Sequence, residues 1–304
     1  MRLNQNQTPH NLNTTKPGAV YRLSGWILAV PTIILFVLLV WRPIGIAVKY
    51  SFYDLQGMTP VKFVGLDNFK DVLSDTNFVQ TLKNTVSYVF WSLIIGLPLP
   101  FFCAVMINEM VHGKGFFKFT LYLPVIMPGI VTSLLWTLMY ADGGGGLLNM
   151  LRSVFGLEPA MWLSNKNLTI PLIIISMTWN SFGGTMIMYL ATLQGVDTAL
   201  YEAARIDGAG FWMRFRVVLL PHMLPTVLLL AVRQIIGVFN VTEQPMVMTG
   251  GGPNGASLSL GLTNYYYAFS YGHFDRSMAL GLITFIILLS LTFVYYGLEK
   301  KVGR

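Results

Sequence analysis

The chain has 304 residues, 54% of them hydrophobic and only 11% charged, with a formal net charge of +7. An average soluble domain carries about a quarter charged residues, so this composition excludes an ordinary water-soluble globule and makes lipid the solvent for the excess apolar surface. The single cysteine, Cys103, excludes an intramolecular disulfide framework and a cysteine zinc cluster, and reads as a packed thiol.

Residues 1–22 are rich in Asn, Gln and Thr, with too little apolar surface to fold, and are expected to be disordered. A bilayer core of about 30 Å needs roughly 20 apolar residues in a helix. Six predicted spans follow, at Trp26–Val48, Thr85–Ile107, Thr120–Tyr140, Ile170–Leu193, Leu224–Met246 and Met278–Leu298. The fold class is therefore all-α and polytopic, with 23–304 as one transmembrane domain. The first span exceeds the roughly 7–15-residue core of a signal peptide and lacks a small-x-small cleavage site, so it reads as a retained helix. Pro171, Pro225 and Pro245 lie near span ends, whereas Pro98, Pro100 and Pro128 lie inside and predict bends in the second and third spans.

Between the spans, Phe63 to Lys83 and Leu147 to Phe155 have the spacing of short amphipathic helices. Gly143 to Gly146 and Gly250 to Gly252 read as flexible outer turns. Basic residues set the orientation. With the N-terminus inside, Arg2, Lys16, Arg22, Lys114, Lys118, Arg205, Arg214, Arg216, Lys300, Lys301 and Arg304 are cytoplasmic. Fewer lie outside, and the inner loops are shorter, where the positive-inside rule weighs most. An even number of spans puts both termini in the cytoplasm. The net charge is thus an orientation signal, and no nucleic-acid partner is expected.

The loop 197–221, between the fourth and fifth spans, carries the most information. Leu200 to Ile206 are mostly helix formers, Gly208 breaks them, and a second predicted helix runs from Phe211 to Leu220 and stops at Pro221. Glu202, Ala203, Ala204, Gly208, Val218, Leu220 and Pro221 match Glu-Ala-Ala, three residues, Gly, nine residues, Ile-x-Leu-Pro, with Val for Ile as the one departure. On these residues the chain resembles the permease subunits of binding-protein-dependent ATP-binding-cassette importers. Gly65-Leu-Asp-Asn-Phe69, Leu121-Tyr-Leu-Pro124, Leu193-Gln194 and Thr249-Gly-Gly-Gly-Pro253 extend the resemblance towards the carbohydrate branch, which is similar to the maltose and glycerol-phosphate permeases. The short outer loop departs from the maltose permease, which carries a large extra domain.

The resemblance implies a bacterial cytoplasmic membrane location and a loop helix docked on a separate cytoplasmic ATPase. Glu202, Ala203, Ala204, Asp207, Gly208 and Pro221 would form the coupling element. It also implies two copies of the ATPase, which bind ATP and Mg, a second homologous permease, an extracytoplasmic solute-binding protein and a sugar cargo. A purely structural reading of the loop has Glu202 supporting the first helical turn and Arg205, Arg214 and Arg216 anchored on anionic lipid.

Sugars are bound by planar hydrogen-bonding groups and aromatic faces. In related carbohydrate permeases the path is built from the stretches just before and after the signature loop. The candidates are Trp179, Asn180, Ser181, Gly184, Phe239 and Asn240, with Glu243 near the outer boundary as a gate or a hydrated edge. Small residues and amides also serve as helix–helix glue, and that reading competes at each position. Arg233 lies about midway along its span, and pairing with the second permease is one reading of it.

No Gly-x4-Gly-Lys-Ser/Thr occurs, the four histidines have no metal spacing, and no nucleophile–base pair stands out, so the chain itself is expected to bind no cofactor and to catalyse nothing. The rival reading is an ion-coupled secondary transporter, which would be expected to hold carboxylates at membrane depth. Here only Glu243 approaches that. Within the favoured class, a glycerol-phosphate or other polyol cargo stands beside a sugar.

Overall fold

The computed structural model describes residues 19–302. Most of the segment expected to be disordered, residues 1–18, lies outside that range, and a helix is already under way at Ala19. This first helix, α1, runs Ala19–Phe36, passes through a π-helical turn at Val37–Trp41, and continues as Arg42–Tyr50. Contacts divide the chain into residues 1–49 and residues 50–304. Within the first unit every residue from 30 to 46 is exposed, as on a helix bathed in lipid.

The second unit opens with a feature absent from the sequence reading, an antiparallel hairpin of β1 (Tyr53–Gln56) and β2 (Thr59–Phe63). Gly57, at φ +60°, supplies the turn. The side-chain amide of Asn68, on α2 (Asp67–Ser74), donates to the carbonyls of Ser51 and Tyr53 at 3.0 and 2.9 Å and fixes the hairpin's base. The second span, α3, is a helix of 32 residues, Phe78–Glu109, with a π-helical turn at Ser92–Gly96.

The third span is two helices, α4 (Lys114–Ile126) and α5 (Gly129–Met139), which meet at 97°. Pro128 causes the break. It cannot donate a backbone hydrogen bond, and it forces Met127 into an extended conformation at φ −75°, ψ 133°. After a short helix α6 (Leu147–Val154), the fourth span α7 (Thr169–Leu193) crosses without interruption. α7 is the central element: half of its most apolar window is buried, against 17% and 22% for the last two spans.

Helix α8 (Thr198–Ile206) follows, and then the largest departure from expectation. The predicted Phe211 helix does not stop at Pro221. Phe211–Arg214, a π-helical turn Phe215–Leu219 and Leu220–Phe239 form one helix, α9. The reason recurs along the chain. Three π-helical turns, Val37–Trp41, Ser92–Gly96 and Phe215–Leu219, each end two residues before a proline, at Pro43, Pro98 and Pro221. A proline ring clashes with the carbonyl four residues back, and a widened turn makes room for it. Proline here reshapes the helix instead of ending it.

The fifth span ends at Phe239, not Met246. Asn240 turns out of helical geometry at φ −97°, ψ 10°, and a separate helix α10 (Glu243–Thr249) begins. Of the glycines after it, Gly251 is buried and closely packed, while Gly250 is exposed. Gly250 and Gly251 have φ of +59° and +87°, and a Cβ on Gly251 would stand 2.6 Å from Leu258 Cδ2. From α3, the Asn84 amide donates to the carbonyls of Gly255 (2.7 Å) and Leu258 (2.9 Å), and the Tyr88 hydroxyl to that of Ser257 (3.0 Å). Helix α11 (Leu260–Tyr265) and the last span α12 (Phe274–Val302) complete the chain. Tyr267, between them, donates to the Asp75 carboxylate at 2.6 Å; burial first, and then this acidic neighbour, push its phenol above the ordinary range. Among the described residues five helices are long and apolar enough to span a membrane, and the bent pair makes a sixth.

The core of the second unit is three apolar clusters. One joins Phe101, Phe182, Tyr189 and Met223 of α3, α7 and α9; a second joins Tyr88, Ile173 and Val238 at the other end; a third joins Val72, Phe239 and Leu280. α7 meets α4 through Gly183, where a Cβ would lie 2.5 Å from Tyr122 Cα and 2.6 Å from the Leu121 carbonyl oxygen. Backbone cannot yield as a flexible side chain does. Gly183→Val is therefore expected to force the two helices apart and to cost about 3 kcal/mol or more, read as loss of detergent-stable protein in a thermal scan.

Candidate coupling loop and translocation cavity

The loop is built as two helices around a glycine. Asp197 caps α8, its carboxylate accepting from the Ala199 N–H at 2.8 Å. Gly208, at φ +74°, closes the other end, and the Ala209 N–H returns to the Ala204 carbonyl at 2.9 Å. Glu202, Ala203, Asp207, Gly208 and Pro221 are exposed, and Ala204 is half-buried. Beside them stand bare apolar side chains: Ile206 is 86% exposed and Trp212 72%, with Leu200 and Met213 also exposed.

The knob is joined to the bundle through Phe215, which packs against both Phe101 and Phe102 of α3, with ring centroids 6.0 and 6.5 Å away. Thr192 and Thr226, at 3.0 Å, tie the end of α7 to α9 and bracket the loop. Because α9 runs unbroken from the knob to Asn240, its foot and its membrane-depth face are one body.

The membrane-depth candidates fall in separate places. Asn180 and Ser181 share a polar cavity of about 270 Å³ between α7 and α9. Trp179 faces away, edge-on to Trp136 at 6.0 Å, in an apolar cavity of about 930 Å³ inside the bend of α4 and α5. Gly184 lines neither. Phe239 is buried in the third cluster, and Asn240 borders a cavity of about 240 Å³ towards α11 and α12. Glu243 lies against the start of α5, so close that a Cβ on Gly129 would stand 2.5 Å from its Oε1.

Asn180 also does structural work. Its amide nitrogen reaches the carbonyls of Pro124 (2.9 Å) and Met127 (3.3 Å) and the Thr132 hydroxyl (3.0 Å), bridging the break between α4 and α5. The glue reading thus holds for its nitrogen, while the residue still borders the polar cavity.

Thr185, Arg233, Gln234 and Gln244 complete that cavity and are absent from the candidate set. The signal was helical phase. Ser181 and Thr185 are four apart, and Arg233 and Gly237 are four apart, so each pair shares a face. Gly96, in the π-helical turn of α3, makes room for Gln234, whose Nε2 would lie 2.7 Å from a Cβ there.

The family described as "Binding-protein-dependent transport system inner membrane component" matches residues 12–304. The chain is 31% identical over 281 residues to the trehalose/maltose transport system permease protein MalF of Thermococcus litoralis, covering 92% of this chain and 93% of that one. It is 29% identical to the arabinooligosaccharides transport system permease protein AraP of Bacillus subtilis, covering 88% and 86%, and 29% identical to the lactose transport system permease protein LacF of Rhizobium radiobacter, covering 92% and 96%. In fold it is similar to a chain of a bacterial ABC transporter that imports the acidic polysaccharide alginate, with a TM-score of 0.82 at 23% identity, covering 94% of this chain and 98% of that one.

Proposed function

For a chain that belongs to the family of binding-protein-dependent transport system inner membrane components, we propose that it is the permease subunit that passes a sugar or oligosaccharide through the cavity between α7 and α9. ATP hydrolysis belongs to a separate subunit of such importers. The observation that carries the reading is α9: it begins at the exposed knob and lines the polar cavity with Arg233, Gln234 and Gly237. Glu202, Ala203, Ala204, Asp207 and Gly208 dock on an ATP-binding-cassette ATPase, with Pro221 shaping the helix behind them. Cargo arrives from a solute-binding protein at the other face, a second permease completes the path, and two ATPases drive alternating access. The curated relatives named for saccharide transport support the cargo class, and the basic inner loops support cytoplasmic termini.

The test is purification of the tagged complex in mild detergent with identification of every co-purifying chain, followed by hydrolysis assays with the binding protein and a sugar panel. A second permease and an ATPase are expected; a chain that stays alone in crosslinked membranes sinks the reading. Ile206→Asp sharpens it. The side chain is 86% exposed, so the fold should change by less than about 0.5 kcal/mol. A carboxylate in an apolar docking face should reduce ATPase recovery at least tenfold; full recovery would remove Ile206 from that face.

A further inference from the structure

Arg233 lies six residues before the end of α9 at Phe239, at the wall of the polar cavity, with its side chain exposed. Its Nη1 reaches the Met188 sulfur at 3.4 Å, a weak acceptor that leaves the charge uncompensated. Among the described residues the two side-chain ion pairs are Lys70–Asp67 and Arg276–Asp71, both far along the chain from it. A guanidinium at membrane depth is costly and calls for an anion. Around it stand neutral hydrogen-bonding groups: Asn180, Ser181, Thr185, Gln234 and Gln244. Asn180 spends its amide hydrogens on the break and keeps its oxygen free to accept, while Gln234 and Gln244 carry donors.

We propose that this cavity recognises an acidic saccharide, one bearing a carboxylate or a phosphate, and that Arg233 is the residue that binds its charged group. The inference rests on the permease reading above and narrows its cargo. A guanidinium fork pairs with a carboxylate or phosphate through two parallel hydrogen bonds, and amides and hydroxyls on the same wall suit sugar hydroxyls. A carboxylate of a neighbouring subunit would need the arginine alone. The volume of about 270 Å³ and the bare Gly237 in the wall leave room for a ring-sized group beside the charge.

The test uses the complete complex in lipid nanodiscs and equilibrium dialysis with labelled galacturonate against galactose, and glucose 6-phosphate against glucose. The wild type should bind at least one acidic sugar tenfold or more tightly than its neutral twin. In Arg233→Gln that preference should fall below threefold, and Arg233→Lys should keep part of it, since a point charge lacks the fork. Absence of any acidic preference in the wild type overturns the proposal, as does a preference that survives Arg233→Gln. Loss of the second permease from the Arg233→Gln complex also overturns it, because the arginine then belongs to a subunit interface. Failure of the wild type to carry an ATPase would instead sink the permease reading.

Discussion

Gly208→Val is expected to abolish uptake, by at least a hundredfold, while leaving insertion and the helical core intact. Gly208 sits at φ +74°, and a Cβ there would meet nothing within 4 Å. The substitution therefore creates no clash within the chain. It costs roughly 1–2 kcal/mol for placing an L residue in left-handed geometry, and valine is β-branched, which raises that cost. The local answer is to abandon the turn. The Ala209 to Ala204 hydrogen bond opens, and α8 no longer holds its angle to the foot of α9. The proposed docking would need Glu202, Ile206 and Trp212 on one rigid surface, so a local change would become a functional one. Substrate uptake into membrane vesicles, measured beside the amount of ATPase recovered with the complex, checks this. Uptake at the wild-type rate would remove the loop from coupling.

Asn180→Leu is expected to cost stability by a different route, through lost hydrogen bonds. One amide nitrogen serves the carbonyls of Pro124 and Met127 and the Thr132 hydroxyl, across a break of 97°. Leucine is of similar size and leaves those acceptors without that donor in an apolar surrounding, at about 1–3 kcal/mol each by general estimates but less where membrane neighbours re-pair them. A total near 3 kcal/mol corresponds to a fall in midpoint of roughly 6–10 °C for a chain of this size. A detergent thermal scan reads the fall. Asn180→Asp keeps the volume and removes the donor, so it should lose a similar amount; a stable Asp variant would mean that packing, not hydrogen bonding, holds the bend.

Composition and period made the spans legible, because lipid imposes one rule on every stretch that crosses it. The form of the loop 197–221 was legible because its residues are close in sequence: a helix, a glycine turn and a second helix announce themselves locally. The fate of the prolines was not. Pro128 breaks the third span by 97°, whereas Pro98 and Pro221 are absorbed by π-helical turns, and the residue type alone does not say which will happen. The end of the fifth span was hidden for the same reason. Val241 and Met246 flank Thr242, Glu243 and Gln244, so the stretch gives only a weak local stop; Ser259 donates to the Val241 carbonyl and Gly261 crowds Asn240 from α11, contacts between segments apart in the chain. The cavity was legible as two stretches and not as a face, so Trp179 entered the candidate set and Thr185 did not.

The unbroken α9 has a torsional meaning as well. At about 1.5 Å per residue, Trp212 to Phe239 is a shaft about 42 Å long. The π-helical turn at Phe215–Leu219 inserts one extra residue, which offsets the faces above and below it by about 100°. Trp212 and Met213 at the foot are thereby keyed to one particular orientation of Arg233 and Gly237 at the wall. A twist applied at the foot would turn only the side of the cavity that α9 lines, against the fixed side that α7 lines. Removing one residue between Phe215 and Leu219 would reassemble the shaft one spline out of phase, with the same helices, the same side chains, and the cavity wall turned away from its opening.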